Sequence, residues 1–357
     1  MVKPFLSICI PTYNRAEIVF ECVQNCLQLP YSWIEVVVTD NCSTDNTKDI
    51  FSSINDSRFH YYRNEKNIGY INLAMSLKNG SGQFCLLLSD EDDFINTDWE
   101  KLKCELQKRN ECAVFQFRYL DHDGTELLSG PAEQMKAGSY QALKYIYNHF
   151  AYAGGTIIRN SVYQECWREH TEVPVLWSLY SETILPLDCG VKGDLAPMQC
   201  ITVARGERNN RGTLDVKAWC GETEEPYWNI RSRRIQLIEW LIFIQSLNVP
   251  KEIKIKLSEE IVCDAIVSYR RYYRIVVSDS NDELFKRYHQ LIQLDKKRYS
   301  YRWIRSTYQL YGEIAKKYDT LLGQENRDKV RERQLLRWVK LYFIRQYIER
   351  LFKRGRI

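Results

Sequence analysis

No stretch of this sequence is long and apolar enough to span a membrane, because a spanning helix needs about 20 such residues in succession. The apolar run near the N-terminus is short and passes into a polar loop, unlike a secretory signal peptide. The sequence has 12 cysteines, but it contains no CxxC pair and no zinc-finger spacing. We therefore expect a cytoplasmic protein that does not cross a membrane and whose thiols are reduced and buried.

Glycine is absent from the start of the chain, where the first glycine is Gly69. A GxGxxG fingerprint after the first strand, or a glycine-rich phosphate loop near the N-terminus, is therefore missing. This absence disfavours a Rossmann dinucleotide-binding protein.

The chain has 357 residues, 45% hydrophobic and 27% charged, which is a globular composition with room for two domains. Residues 326–357 contain 11 Lys/Arg and 3 Asp/Glu, a net charge of +8, whereas the whole chain carries only +4. The first 325 residues therefore sum to −4. Positive charge is concentrated in a C-terminal tail.

Apolar runs of strand length alternate with segments of helical periodicity up to about residue 205. We predict strands at 6–10, 33–39, 60–63, 84–88, 113–117 and 195–203, helices at 16–29, 68–78 and 100–108, and another helix capped by Ser43 or Asp45. Such alternation indicates a mostly parallel sheet that binds ligands beyond the carboxyl ends of its strands. The loops at 11–15, 40–45 and 90–93 should therefore share one edge.

An acidic run follows directly after the predicted strand at 84–88, in the segment FCLLLSDEDDF. Asp90, Glu91, Asp92 and Asp93 would repel one another at this exposed rim unless a cation lay among them. Carboxylate oxygens suit Mg²⁺ or Mn²⁺, which proteins often hold with one or two carboxylates and substrate phosphates. The alternative is an acidic N-cap for the helix that follows.

Four segments in this order resemble the family 2 glycosyltransferases, which are inverting enzymes of the GT-A fold. They are SICIPTYNR at 7–15, VVVTDNCSTDNT at 36–47, NIGY at 67–70 followed by Asn72, and LLLSDEDD at 86–93. The resemblance covers about the first 95 residues, with thinner support to about residue 205. It implies an α/β domain with a Rossmann-like mixed sheet and helices on both faces, and a nucleotide-sugar donor.

The resemblance also implies roles for individual residues. Asp90 and Asp92 take the place of the family's DxD motif, with Asp92 the metal ligand and Asp90 facing the ribose or the metal. Asp40 would accept a hydrogen bond from the base, and a carboxylate is a good acceptor for the imide N–H of uracil. Helix capping is the alternative role for Asp40 and Asp45. The implied nucleotide pocket consists of Pro11, Thr12, Tyr13, Arg15, Asp40, Asn67 and Asp90.

Inverting transfer requires a base that deprotonates the acceptor hydroxyl. In the family this base lies well downstream of the acidic motif, near a helix start. Glu182 is our choice because it is the single carboxylate in an otherwise apolar segment, and Asp188 is the second candidate. The alternative is a structural helix carboxylate paired with Arg159 or Lys192.

Residues 205–212 follow the last predicted core strand and read RGERNNRG. Arg205, Arg208 and Arg211 could bind the diphosphate of the donor or the acceptor. An exposed loop whose arginines only improve solubility fits the sequence equally well.

Helical patterns alone continue after about residue 226, so we predict a catalytic domain at 1–225 and a helical module at 226–357. In the last predicted helix, 329–353, apolar residues such as Trp338 and Phe343 recur at steps of three and four, with basic residues between them. A basic amphipathic helix of this kind suits an anionic membrane surface. Docking on the module or pairing in a homo-oligomer is the alternative.

These observations together predict a metal-dependent inverting glycosyltransferase of surface-polysaccharide synthesis. The donor would be a nucleotide-sugar, for which we expect UDP, and the acceptor a saccharide or lipid-linked glycan at the inner face of the membrane. One alternative is an inactive nucleotide-binding scaffold. Another is a sugar-phosphate nucleotidyltransferase, which the missing glycine-rich loop disfavours. We expect no nucleic-acid partner.

Overall fold

The computed structural model describes residues 3–149, 155–170, 181–206, 240, 243–244, 246–258 and 260–261. Most of them belong to one compact unit, Met1–Glu224 with Leu247–Ile253, and the others to a second unit, Glu225–Ser246 with Lys254–Ile357. The predicted helices of the C-terminal module beyond residue 261, including the one at 329–353, lie outside the described residues. The domain boundary at 225 stays a prediction.

Nine strands form one mixed sheet in the described part of the chain. They are β1 Leu6–Thr12, β2 Ile34–Asp40, β3 Phe59–Arg63, β4 Phe84–Leu87, β5 Asp93–Ile95, β6 Cys112–Leu120, β7 Glu126–Leu128, β8 Thr156–Arg159 and β9 Asp194–Ala204. The order is β3-β2-β1-β4-β8-β6-β9-β5, with β7 paired to β6. Strands β1 to β4 are mutually parallel, β8 is antiparallel to both its neighbours, and β9 is parallel to β6.

Seven helices are described around this sheet. They are α1 Ala16–Leu27, α2 Thr47–Phe51, α3 Ile71–Asn79, α4 Trp99–Lys108, α5 Tyr140–His149, α6 Asn160–His170 and α7 Ser181–Lys192. All seven residues of β2 are buried. Because successive strand residues point to opposite faces, complete burial requires that both faces of this strand are covered.

One face of the sheet carries an extended apolar cluster. Leu6, Ile8 and Ile10 of β1 alternate along the strand and lie in one core cluster with Val19 of α1 and Leu102 of α4. Burying a side chain of this size contributes roughly 1.5–3 kcal/mol to folding. The predicted mixed α/β sheet is confirmed, and its core positions the strand ends that carry the polar loops.

The short strand β5 and the helices α5 and α6 were not predicted. Strand β5 has three residues and begins within the acidic run, too short to show any periodicity. A tight turn follows β6, in which the Asp121 N–H donates to the Thr125 carbonyl and Gly124 has a φ of 84°. Among the described residues, no helix is long and apolar enough to cross a membrane.

One predicted helix cap is wrong, and the acidic-cap alternative is ruled out. The N-cap of α2 is Asn46, which makes no side-chain cap bond, although Asp45 Oδ1 accepts the Thr47 N–H at 3.0 Å. The acidic run does not cap the next helix either, because β5 intervenes and Asp98 caps α4 by accepting the Lys101 N–H. The described cysteines are free and mostly buried, as predicted.

Candidate functional site

The first two polar loops form one unit at the carboxyl edge of the sheet. The Asn41 N–H donates to the Thr12 carbonyl at 2.9 Å. Asn14, which adopts a left-handed φ of 52°, donates its N–H to Ser43 Oγ at 2.9 Å and accepts the Thr44 N–H at 2.7 Å. These bonds bring together segments about 30 residues apart, as expected for neighbouring parallel strands.

Asp90 joins the acidic run to the first loop. Its Oδ2 accepts the Thr12 hydroxyl at 2.9 Å, and its Oδ1 accepts Arg15 Nη1 at 2.7 Å. Burial raises the pKa of Asp90 to about 6, although Arg15 works in the opposite direction. The three predicted site residues Thr12, Arg15 and Asp90 are therefore in direct contact.

Glu91 lies between two arginines. Its Oε2 accepts Arg15 Nη2 at 2.6 Å, and its Oε1 lies 3.8 Å from Arg205 Nε. Strand β9 brings Arg205 here because Ala204 pairs with Asp93 of β5. Arg205 also lies 3.9 Å from Asp121, so two longer contacts hold it rather than one close pair. Arg208 and Arg211 lie outside the described residues.

Asp92 is enclosed rather than exposed, with 1% of its surface accessible, so the expected exposed rim is wrong for this residue. Its Oδ1 accepts the Tyr119 hydroxyl at 3.0 Å and its Oδ2 accepts the Ser89 N–H at 3.3 Å. Burial, with the neighbouring charge of Glu91, raises the pKa of Asp92 well above its usual range. The site thus concentrates negative charge away from water.

Asp40 is completely buried and bonded within the chain. Its Oδ1 accepts the N–H and the hydroxyl of Ser43, at 2.9 and 2.5 Å. Its Oδ2 accepts the Tyr61 hydroxyl at 2.6 Å and lies 3.3 Å from Arg63 Nε. Accepting a base N–H would require one of these donors to move, so base recognition by Asp40 stays a prediction with that added condition.

Hydrogen bonds between asparagines connect the carboxyl edge of the sheet to the NIGY segment at residues 67–70. Asn41 Nδ2 donates to Asn67 Oδ1 at 2.8 Å, and the Gly69 N–H donates to the same oxygen at 2.9 Å. Asn64 Nδ2 donates to Asn72 Oδ1, and Asn72 Nδ2 donates to the Thr39 carbonyl. Asn67 is therefore placed beside the second loop. Pro11 and Tyr13 are half-buried on the first loop.

The carboxylates of the acidic run could hold a divalent cation only together with other ligands. Among the described side chains, no three His, Cys, Asp or Glu groups are arranged to hold a metal ion by themselves. Mg²⁺ commonly takes only one or two carboxylates and completes its shell with water and phosphate oxygens. Each carboxylate oxygen of Asp92 accepts one hydrogen bond from the described residues and has a second lone pair that can bind a cation. The carboxylates of Asp92 and Asp90 therefore fit an ion that is shared with a phosphorylated substrate.

The two candidate bases lie on α7, which ends two residues before β9 begins. Glu182 is the second residue of this helix. The side chain of Glu182 lies outside the described residues.

Asp188 follows about 1.7 turns later and is buried. It lies next to Cys166, whose thiol pKa is raised by Cys189 first and by Asp188 as well. Lys192 pairs with Glu165 and Glu169, and Arg159 donates to the carbonyls of Cys112 and Arg109.

Two tyrosines of the site were missed from sequence. Tyr61 could have been found, because it lies on the strand predicted at 60–63, and its hydroxyl donates to Asp40. Tyr119 gave no such signal, since the predicted strand ended at residue 117 and its partner Asp92 is 27 positions away.

Comparisons with known proteins give matches in sequence and in fold. The family model described as "Glycosyl transferase family 2" matches residues 7–167. The chain is 28% identical over 130 residues to the glycosyltransferase TuaG of Bacillus subtilis, named for teichuronic acid biosynthesis, covering 35% of this chain and 51% of TuaG. It is 31% identical over 93 residues to the UDP-Glc:alpha-D-GlcNAc-diphosphoundecaprenol beta-1,3-glucosyltransferase WfaP of Escherichia coli, covering 26% and 37%. The match thus spans about half the length of TuaG and less of WfaP.

Solved structures share the fold. S. aureus TarS 1–349 in complex with UDP-GlcNAc superposes with a TM-score of 0.55 at 13% identity, covering 90% of this chain and 93% of that one. The same protein without a named ligand gives a TM-score of 0.51 at 14% identity, with the same coverage. At these identities the likeness is one of fold.

Proposed function

Residues 7–167 are a glycosyl transferase family 2 domain, and from this premise we propose that the chain is an inverting glycosyltransferase acting in surface-polysaccharide synthesis. The donor is a nucleotide-sugar, with UDP as the nucleotide. The acceptor is a hydroxyl of a saccharide or of a lipid-linked glycan. The named substrates of WfaP, a UDP-sugar and a diphosphoundecaprenol-linked sugar, support both classes.

One observation carries the proposal: two enclosed carboxylates stand at the carboxyl edge of a sheet, each held by donors from distant segments. Thr12 and Arg15 hold Asp90, and Tyr119 holds Asp92. Enclosing negative charge costs free energy unless something positive shares the site. A divalent ion with a diphosphate meets that need, because the ion neutralises the carboxylates and the phosphates together.

Asp92, with Asp90, would hold Mn²⁺ or Mg²⁺. When bound, the ion supplies charge stabilisation to the departing diphosphate. Arg205 is held by two contacts longer than 3.5 Å and is suited to turn toward the phosphates, together with Arg208 and Arg211. Pro11, Tyr13 and Asn67 line the nucleotide pocket. Tyr13 lies near the base or the ribose, and Asp40 stands at its back wall.

Glu182 takes the proton of the acceptor hydroxyl as that oxygen attacks the anomeric carbon from the side opposite the diphosphate. Its position at the start of α7 supports this assignment, whereas Asp188 is buried beside Cys166. Attack from the opposite face inverts the anomeric configuration.

The test is hydrolysis and transfer from a panel of UDP-, GDP- and dTDP-sugars, with Mn²⁺, with Mg²⁺ and with EDTA. We expect metal-dependent release of UDP from one donor, and a product whose anomeric coupling by NMR is inverted. A protein that binds UDP but hydrolyses and transfers no sugar would be a nucleotide-binding scaffold. Release of pyrophosphate from UTP and a sugar phosphate would instead identify a nucleotidyltransferase.

We also propose that the tail at residues 326–357 holds the protein at the inner face of the membrane, where a lipid-linked acceptor would be met. The support is its net charge of +8, since each Lys or Arg near an anionic surface adds about 1 kcal/mol of attraction. Sedimentation with anionic and with neutral vesicles tests it. Replacing Arg337, Lys340 and Arg345 by Gln should reduce sedimentation. If light scattering shows a lost homo-oligomer with no change in sedimentation, the tail is an assembly element.

A further inference from the structure

Tyr119 lies on β6, away from the first two loops, yet its hydroxyl reaches the acidic run. The hydroxyl donates to Asp92 Oδ1 at 3.0 Å, and the two residues are only 3% and 1% exposed. The Ser89 N–H donates to the other carboxylate oxygen at 3.3 Å. Two donors from different elements therefore set the orientation of the Asp92 carboxylate.

The backbone around Tyr119 departs from regular pairing on both sides. The register of β6 against β9 shifts between Phe117 and Arg118, and its register against β7 shifts between Tyr119 and Leu120. Irregularities of this kind re-aim side chains and are enriched beside active sites. The two register shifts lie on either side of Tyr119, whose hydroxyl contacts the acidic run at Asp92.

A purely structural tyrosine would need only an acceptor for its hydroxyl. Tyr163 shows that solution in the same protein, since its hydroxyl is fully buried and donates to the Ala74 carbonyl at 2.9 Å. Tyr119 is instead paired with an enclosed carboxylate, which is costly to bury.

We propose that Tyr119 is a positioning residue that orients Asp92 toward the divalent ion of the sugar-transfer site. This role rests on the function proposed above. Groups that bond to a metal ligand fix its orientation, and their loss typically lowers metal affinity by about 10- to 100-fold. Tyr119 acts through Asp92 and is not assigned any contact with the substrate.

The test compares wild type with Tyr119→Phe, using Tyr163→Phe as the matched control because it also removes one buried tyrosine hydroxyl. Mn²⁺ affinity in the presence of UDP is measured by electron paramagnetic resonance, independently of turnover. We expect Tyr119→Phe to bind Mn²⁺ about tenfold more weakly. Donor hydrolysis should need correspondingly more Mn²⁺ and recover when Mn²⁺ is saturating. Tyr163→Phe should match wild type, and thermal unfolding checks that both variants are folded.

An unchanged Mn²⁺ affinity in folded Tyr119→Phe overturns the proposal. An equal loss in Tyr163→Phe overturns it as well, because the effect would then be general destabilisation. If wild type hydrolyses a donor with Mn²⁺ and Tyr119→Phe does so identically, only the role of Tyr119 fails. If wild type binds neither UDP nor Mn²⁺, the proposed function fails and the role of Tyr119 falls with it.

Discussion

The guanidinium of Arg15 lies 2.7 Å from the carboxylate of Asp90, although the two residues are 75 positions apart. Its second terminal nitrogen contacts Glu91 at 2.6 Å. One cation therefore neutralises two neighbouring anions and closes the loop after β1 onto the acidic run.

Replacing Arg15 by Lys should destabilise the protein by about 1–3 kcal/mol, because a single ammonium cannot serve both carboxylates in the geometry of a planar fork. Chemical denaturation measures this loss. Arg118→Lys is the control, since its pair with Glu126 is exposed and should change stability by less than about 1 kcal/mol. Equal losses of stability in the two variants would show that Arg15 stabilises the protein no more than an exposed ion pair does.

Asp92→Asn should reduce metal-dependent donor hydrolysis by about 10²-fold or more, because several kcal/mol of charge stabilisation depend on the anionic ligand. The fold should persist, since the amide keeps the size of the side chain and removes an enclosed charge. Asp93→Asn is the matched control, because Asp93 bonds Asn25 at the surface. Near-normal turnover of Asp92→Asn, or wild-type activity in EDTA, would contradict the metal assignment.

Asp40→Ala should weaken UDP binding by about 1–3 kcal/mol, the cost of a lost or unpaired buried polar contact. Tyr61→Phe removes one donor to Asp40 and leaves the carboxylate in place. If Asp40 contacts the base, calorimetry will show a larger loss for Asp40→Ala than for Tyr61→Phe. Equal losses of UDP affinity and of thermal stability would mean that Asp40 only organises the loop.

Glu182→Gln should lower sugar transfer by about 10²- to 10⁴-fold with little change in UDP affinity, since the amide keeps its shape but cannot take a proton. Asp188→Asn should mainly lower thermal stability, because Asp188 is buried beside Cys166. Single-turnover transfer assays separate the two. If Asp188→Asn lowers sugar transfer and Glu182→Gln does not, Asp188 is the base.

Asp194 gives a pH prediction at the opposite end of the sheet. Burial alone would raise its pKa, but bonds from Gln134 Nε2, the Ala137 N–H and Lys136 Nζ lower it below the ordinary value. A carboxylate with a lowered folded-state pKa stabilises the protein above its unfolded pKa, near 3.9, and this contribution is lost as pH falls through the folded value.

Asp194→Asn should therefore cost about 1–3 kcal/mol at pH 7, and this difference from wild type should shrink below about pH 4. Denaturation at several pH values measures it. Lys136→Gln should matter little, because the lysine side chain is 81% exposed. A difference that is constant with pH would mean that the Asp194 charge is not what stabilises the start of β9.

Local sequence determined the elements and the edge on which the site lies. A buried strand such as Ile34–Asp40 can be predicted from the sequence. Every position along it must be apolar or must have its polar groups hydrogen-bonded within the chain. Polar residues directly after such strands are placed at the carboxyl edge by the parallel arrangement itself. Thr12, Asp40 and Asp90 could therefore be assigned to one edge from the sequence and from the family resemblance.

Only the tertiary structure decided which of these side chains face one another and which are enclosed. Tyr119 meets Asp92, and Arg205 approaches Glu91, through strand pairings and register shifts that no periodicity records. The burial of Asp92 and the four bonds to Asp40 likewise depend on neighbours supplied by distant segments. Periodicity reports how each residue meets its own strand or helix, whereas contacts and desolvation depend on how the strands are ordered. That order is set by the packing of the whole domain.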